Sequence, residues 1–512
     1  MSLPLSNPPH SEAEQIESLK KQLQLAEWKI RVLEEQLRLE RIKKYGPKSE
    51  RLSDAQLELL DLEPGVSRAE VEAEGRREPL PGSVTPGATR SNGSRHPGRQ
   101  QLPKDLPRIE RLIRCGPEHC LCKACGQQTV VIGYEESEQL DVEPARYFVA
   151  VTRREKRACR SCSEGSVSAA PLPARIIDKG LASDRVVIDT IVGKYSDHLP
   201  LYRQSIMLER ETGVTISRAT MDGWVMRTGD LLTPVVEVMK RELVASNYVQ
   251  ADETPVPVQM HDGRGKNHQA YLWQYSQPRG VVIFDFQLGR GREGPRKFLS
   301  GFKGILQTDG YAAYESALSE TVVHAACWAH ARRKALEAVK LNPEDRRAGQ
   351  LVARIDELFS IDAEARNAGM DQAARHALRL ESSRPLLQVI RQELESARAT
   401  VLPASALGKA VNYTLSLWPK LTRFLEYPEL ELSTNLAENS MRPVVLGRKN
   451  WIHVGSQEAG PRVAAILSIV ETCRRLKLSL RDYLTAVLPG LAKMSIQRIH
   501  ACTPATWAAS RF

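Results

Sequence analysis

The chain has 512 residues, 42% of them hydrophobic, with 72 Lys+Arg against 62 Asp+Glu and a net charge of +10. That length accommodates about three or four domains, and the apolar fraction excludes wholesale disorder. No run of about 18 apolar residues occurs, and the opening "MSLPLSNPPHSEAEQ" lacks a basic region followed by an apolar one, so the expectation is a soluble, intracellular protein with no membrane partner.

The positive excess favours a polyanionic partner. In a reducing compartment the nine cysteines point to metal or free thiols rather than disulfides.

From 12 to 44, Ile16, Leu19, Leu23, Ala26, Ile30, Leu33 and Leu37 step by three and four, with Glu and Lys/Arg filling most positions between. This is the a/d seam of a short coiled coil, and segment 12–61 is expected to be a leucine-zipper helix joining a homodimer or higher assembly. Over 62–105 Pro, Gly, Ser and Arg displace any apolar period, which predicts a flexible basic linker.

Residues 106–168 hold "CKAC" (Cys122, Cys125) and "CRSC" (Cys159, Cys162). Each C-x2-C knuckle can offer two thiolates, and two knuckles complete a tetrahedral structural Zn2+ site. Cys115 and Cys120 are spare candidates, and "TVVIGYEE" and "RYFVAVTRREKRA" between the knuckles read as strands. Arg153, Arg154 and Arg157 crowd the second knuckle and give the module a basic, DNA-contacting edge.

Over 169–236 a helix from Leu201 to Arg210, a turn at Gly213 and a second helix capped by Ser217 match the helix-turn-helix layout, one that any Gly-linked helix pair shares. Arg218, opening the second helix, is a candidate DNA contact.

The segment 240–464 then changes period. "YVQAD", "QAYLWQYS", "GVVIFDFQ", a helix-like "GPRKFLSGF" and "GILQTDG" give strand-strand-strand-helix-strand, the opening order of a ribonuclease-H-like α/β fold, and "VVHAACWAHARRKA" adds a fifth strand entering a basic helix. In that order Asp252 closes the first strand and Asp309 the fourth, two strands that lie side by side in such a sheet. Residues 338–430 read as a helical insertion, with Leu351, Ile355, Leu358 and Phe359 on one face and Leu387, Ile390 and Leu394 on another. "LSTNLAENSMRPVVLGRKNW" (432–451) reads as a helix capped by Ser433 or Thr434, presenting Glu438 to the aspartates while Arg442, Arg448 and Lys449 face a phosphate. Residues 465–512 form a C-terminal helical segment.

Three acids converging in this way fit phosphodiester chemistry. Two Mg2+ ions about 3.5–4 Å apart can activate an attacking oxygen and stabilise a leaving one, and hard Mg2+ takes carboxylate oxygens. Glu253 competes with Asp252, but the pleat turns neighbours to opposite faces, so one of the two should face the metals. His324 and His330, flanking Cys327 and Trp328, are expected to be core or phosphate-contacting groups rather than ligands.

These blocks carry a family resemblance. "CKACG…CRSC", "KYSDHLPLYRQ…ISRATMDGWV", "ADETPV", "TDGYAAY", "CWAHARRK", "NLAEN…RP…GRKNW" and "ILSIVETCRRLKLSLRDYL" resemble, in order, the segments of insertion-sequence-66 transposases. The resemblance implies a DDE catalytic domain that uses Mg2+ to cut transposon ends and join them to target DNA. It carries the catalytic acids onto Asp252, Asp309 and Glu438, and the zinc ligands onto Cys122, Cys125, Cys159 and Cys162. It also implies terminal inverted repeats and target DNA as partners, small accessory transposition proteins, and a bacterial, cytoplasmic, nucleoid-associated location. Family members usually show Asp-Asn-Asn before the last helix and Glu-Arg within it, where this chain has "STN" (433–435) and "EN" (438–439). Those two positions are the basis of a second reading, a catalytically decayed, transposase-derived DNA-binding repressor.

Overall fold

The structure, a computed structural model, describes residues 12–45, 127, 147–157, 168–178, 180–260, 267–315 and 319–510. The chain forms two compact units, residues 84–155 and the remainder. In the smaller unit the described residues 147–155 are exposed and belong to no strand. The strand expected through this stretch is reduced to Lys156–Arg157 of the larger unit, paired antiparallel with Ser168–Ala169. Cys122, Cys125, Cys159 and Cys162 lie outside the described residues.

The larger unit opens with α1 (Glu12–Tyr45), whose seam residues Leu19, Leu23, Ile30, Leu33 and Leu37 are exposed. Three helices follow, α2 (Asp184–Tyr195), α3 (Leu201–Thr212) and α4 (Arg218–Val244). Gly213 ends α3 at φ +69°, a left-handed conformation that glycine adopts without a Cβ clash. Ser217 then caps α4 by accepting a hydrogen bond from Thr220 N at 3.1 Å. The expected helix-turn-helix elements are therefore present. However, the boundaries drawn at 236–240 and 464–465 fall inside helices, because the apolar faces of these helices continue across them.

Five strands form one sheet: β1 (Tyr248–Val258), β2 (His268–Ser276), β3 (Val282–Gln287), β4 (Ile305–Thr308) and β5 (Val323–Ala326), in the order β3-β2-β1-β4-β5. The β3-β2-β1 ladder is antiparallel, whereas β4 and β5 join parallel. Between β3 and β4 lies the short helix α5 (Glu293–Phe298).

Asp252 does not close the first strand, which runs on to Val258. Pairing with β4 stops at Gln250↔Gln307, so beyond that point this edge of β1 has no strand partner until Val454 bridges Val258. Pro255 and Pro257, two residues apart, turn the same way, toward that edge, where a missing N–H costs no ladder bond. The Pro257 carbonyl on that side accepts from Val454 N at 2.9 Å.

Alternation along β1 divides the interior into two cores. Val249 and Ala251 pack with α4, α11 (Ala459–Arg475) and α12 (Leu480–Leu491), so the helix-turn-helix region and the C-terminal helices share one core with the sheet. Tyr248 and Ile305 face a second core built by α6 (Trp328–Leu341), α7 (Arg346–Asn367), α8 (Arg384–Thr400) and α9 (Ala406–Ser416). Leu351, Ile355, Leu358, Phe359, Leu387, Ile390 and Leu394 are all buried there, as their helical spacing requires.

The outer edge of β3 is closed by side chains of α11. Ser468 Oγ accepts from Phe284 N at 2.8 Å, and Thr472 Oγ1 accepts from Val282 N and donates to Val282 O, each at 3.0 Å. Hydroxyls one helical turn apart thus satisfy backbone groups that an open edge would offer to another chain. The same helix approaches so closely that a Cβ on Gly460 would lie 2.3 Å from the Phe286 ring. Gly460→Ala should therefore lower stability by about 1–3 kcal/mol through overpacking, read as a lower urea midpoint at unchanged slope.

Candidate active site

Asp252 sits midway along β1, just past the last residue paired with β4, and Asp309 directly follows β4. Gly310, at φ +89° and with Leu417 Cδ1 2.6 Å from any added Cβ, makes the turn that ends the strand. Asp309 Oδ1 accepts from Tyr311 N at 2.8 Å, and its carbonyl accepts from Tyr413 Oη of the insertion at 2.5 Å. Glu438 lies in the first turn of α10 (Asn435–Trp451), whose N-cap is Thr434, although the Thr434 side chain makes no capping bond.

The pleat separates Asp252 from Glu253. Glu253 is held by the Arg290 guanidinium, at 2.6 and 3.0 Å, and by Tyr314 Oη at 2.9 Å. Burial raises its carboxyl above the usual range, opposed by those two partners and reinforced by Asp309. Asp252 lies on the other side. Burial pushes its carboxyl up to about 7, with Glu438 and Glu253 adding to the rise and His330 opposing it. A half-buried carboxyl that resists ionisation beside further carboxyls is a site short of positive charge.

Part of that shortage is met by α6. Arg333 Nη2 donates to Glu438 at 3.0 and 3.3 Å, and His330 Nε2 lies 3.4 Å from Glu438 Oε1. Burial works to lower His330, but Cys327 and Glu438 outweigh it and raise the imidazole to about 9. His324 bonds Thr308 Oγ1 at 2.9 Å, and burial lowers it to about 4. Neither Arg333 nor Tyr413 stood out in the sequence. The available signal for Arg333 was its spacing three residues after His330 on a helix that follows the last strand.

Among the described residues, no three His, Cys, Asp or Glu side chains are gathered closely enough to enclose an ion as they stand. Arg333 and His330 hold Glu438 on the α6 side. The donor set still fits a hard cation: all oxygen and half-buried, with the Asp252 carboxyl raised by burial and by its acidic neighbours.

Of the basic candidates, Arg153, Arg154, Arg157, Arg218, Arg442 and Lys449 are exposed. Arg448 is not turned outward in the same way: its guanidinium donates to Thr254 Oγ1 at 3.4 Å and to Pro255 O, bracing α10 against β1. No helix among the described residues is long and apolar enough to cross a membrane.

Comparison with known proteins places these features. Residues 179–462 match the family model described as "Transposase IS66 family", 119–163 match the "zinc-finger binding domain of transposase IS66", and 32–111 match "Transposase C of IS166 homeodomain". Three uncharacterized proteins of Sinorhizobium fredii are similar along most of their length. One, y4qI, is 33% identical over 77% of this chain and 74% of its own. Another, y4hP, is 30% identical over 92% and 88%, and y4jD is 32% identical over 80% and 82%. With a zinc-finger segment followed by a transposase segment spanning the sheet and all three acids, the chain belongs to the insertion-sequence-66 family of transposases, DNA-binding proteins of DNA processing.

Proposed function

We propose that this chain is an active DDE transposase with a ribonuclease-H-like catalytic domain, cutting the terminal repeats of its element and joining them to target DNA. The observation that carries the reading is the Asp252 carboxyl, raised by burial and by Glu438, on the strand beside the one that Asp309 ends. The strand order β3-β2-β1-β4-β5, with two antiparallel junctions followed by two parallel ones, supports the fold assignment.

Asp252, Asp309 and Glu438 would hold two Mg2+ ions. When bound, these supply Lewis-acid stabilisation of the attacking and leaving oxygens of a phosphodiester. Arg333 and His330 hold Glu438 on the α6 side. Arg290 and Tyr314 hold Glu253 away from Asp252. Arg442 and Lys449 would meet the DNA backbone, a role that their exposure on α10 supports. The exposed seam of α1 supports pairing with a second copy, and the exposed start of α4 supports DNA contact by Arg218.

Zinc would be held by Cys122, Cys125, Cys159 and Cys162, two knuckles around one ion. Cys159→Ser is expected to reduce bound zinc from about one ion per chain to nearly none. Elemental analysis of the dialysed protein measures it directly, and a variant that retains a full zinc complement would remove Cys159 from the ligand set.

The test of the catalytic reading is incubation of the full-length protein with DNA carrying the element's ends and Mg2+. Cleavage that stops when the metal is chelated supports the enzyme. Specific binding with no cleavage at any metal concentration supports the repressor reading instead.

A further inference from the structure

Two buried glutamines occupy matched positions beneath the acids. Gln250 and Gln307 face one another in the parallel register of β1 and β4, each two residues before an aspartate, Asp252 and Asp309. Both are fully buried, at 0% exposure. Residues two apart on a strand share a face, so Gln250 points to the same side as Asp252. The chain that enters α10 crosses that side.

The contacts join all three acid-bearing elements. Gln250 Nε2 donates to Ser433 O at 3.0 Å and to Gln307 Oε1 at 2.9 Å. Gln307 Nε2 donates to Glu431 O at 2.7 Å. Tyr248 Oη, on the same face of β1, donates to Gln307 Oε1 at 2.6 Å and accepts from Glu431 N at 3.2 Å. Sheet cores are normally filled by apolar side chains, and burying an amide is costly unless its bonds are made. These amides bond backbone more than a hundred residues away in sequence. The backbone they hold reaches Thr434, whose carbonyl accepts from Glu438 N at 3.0 Å. A helix is stiff, so the placement of its first turn sets the placement of Glu438.

From this we infer that Gln250 and Gln307 are positioning residues, an amide clamp that sets Glu438 in depth and register against Asp252 and Asp309 and so tunes the affinity of the acids for divalent ions. The inference rests on the proposed role of those acids as ligands.

Mn2+, which takes oxygen ligands as Mg2+ does, serves as the probe. It is titrated calorimetrically into full-length wild type, Gln250→Leu, Gln307→Leu, Gln250→Asn and Asp252→Asn. Each glutamine variant should bind Mn2+ about tenfold more weakly, the effect of one or two lost buried hydrogen bonds, with an unchanged circular dichroism spectrum. Gln250→Asn should behave like the leucine variant because its shorter side chain cannot span to Ser433 O. Cleavage should need correspondingly more Mn2+ for half-saturation while kcat at saturation is largely kept. A merely destabilising change lowers the amplitude and leaves the metal dependence in place.

Folded variants with wild-type Mn2+ affinity overturn the clamp. So does a Gln250→Leu protein that unfolds while Gln250→Asn folds and binds Mn2+ like wild type. If wild type shows no Mn2+ binding that Asp252→Asn removes, the proposed metal site itself fails, and that outcome is distinguishable from failure of the clamp.

Discussion

Asp252→Asn is expected to lower metal-dependent cleavage of element-end DNA by about 10³-fold or more, while binding of the same DNA changes by less than about twofold. The substitution keeps shape and removes the one charge that burial makes hardest to form. Loss of a metal ligand costs several kcal/mol of transition-state stabilisation, and about 4 kcal/mol corresponds to three decades of rate. DNA binding is retained because the proposed DNA-contacting arginines lie on other elements, and an unchanged circular dichroism spectrum excludes misfolding as the cause.

The same variant should be more stable than wild type in metal-free buffer at pH 8. The direction follows from the carboxyl being raised to about 7 in the folded chain, above its ordinary value of 3.8. Between those two values the folded state holds a proton that the unfolded state has released. Stability is therefore lost progressively as pH rises through that window, and above about 7 the penalty is complete. The amide of the Asp252→Asn variant carries no such penalty, so the gain should appear at pH 8 and vanish near pH 4. Thermal melts at the two pH values measure it, and addition of Mg2+ should narrow the gap by stabilising wild type alone. Equal melting temperatures at both pH values would contradict the burial argument even if cleavage were lost.

Asp362→Ala should destabilise the protein by about 3–5 kcal/mol, the cost of leaving a buried counter-charge unpaired. Asp362 receives Arg379 at 2.8 Å, Arg375 at 2.7 Å and Arg366 at 3.2 Å, and Arg375 also pairs with Glu431 at 2.8 Å. Removing Asp362 leaves three guanidinium groups facing Glu431 alone, with Arg379 at 1% exposure. Burial favours the neutral acid, but Arg379, Arg375 and Arg366 outweigh it and hold Asp362 below the ordinary carboxylate range. A lowered carboxyl contributes stability above its unfolded value and loses it as pH falls through the folded one, so this network should fail only in strong acid.

Arg379→Lys should not rescue the fold. The guanidinium also donates to the carbonyls of Phe424, Pro428 and Leu430, and a single ammonium has too few donors and the wrong geometry for that set. Urea denaturation gives the free energies. Because Glu431 lies on the segment that Gln307 holds, cleavage should fall along with stability in both variants. Full activity in a destabilised Asp362→Ala protein would show the insertion to be independent of the acids.

Much of this architecture was legible in the chain itself. Alternation of period two marked β1 to β5, helical spacing marked the insertion, and Gly213 with Ser217 marked a helix end and a helix start. These are local signals, set by backbone geometry within a few residues, so they survive without knowledge of the fold. The strand end expected at Asp252 is instructive, because the strand continues through Pro255 and Pro257. Proline argues against a strand only where its N–H is needed, and whether it is needed depended on where β4 stopped.

What local pattern could not supply were partners distant in sequence. Gln250 reads as an ordinary polar residue of a half-exposed strand until Ser433 is folded onto it. Arg333 reads as a solvated helix charge until Glu438 faces it, and Asp362, Arg375, Arg379 and Glu431 acquire meaning only as a group. Residue order alone determined the elements and the chemistry available at their ends. Tertiary packing decided which buried polar groups meet, because the cost of an unpaired one is settled only by what surrounds it after the chain has closed.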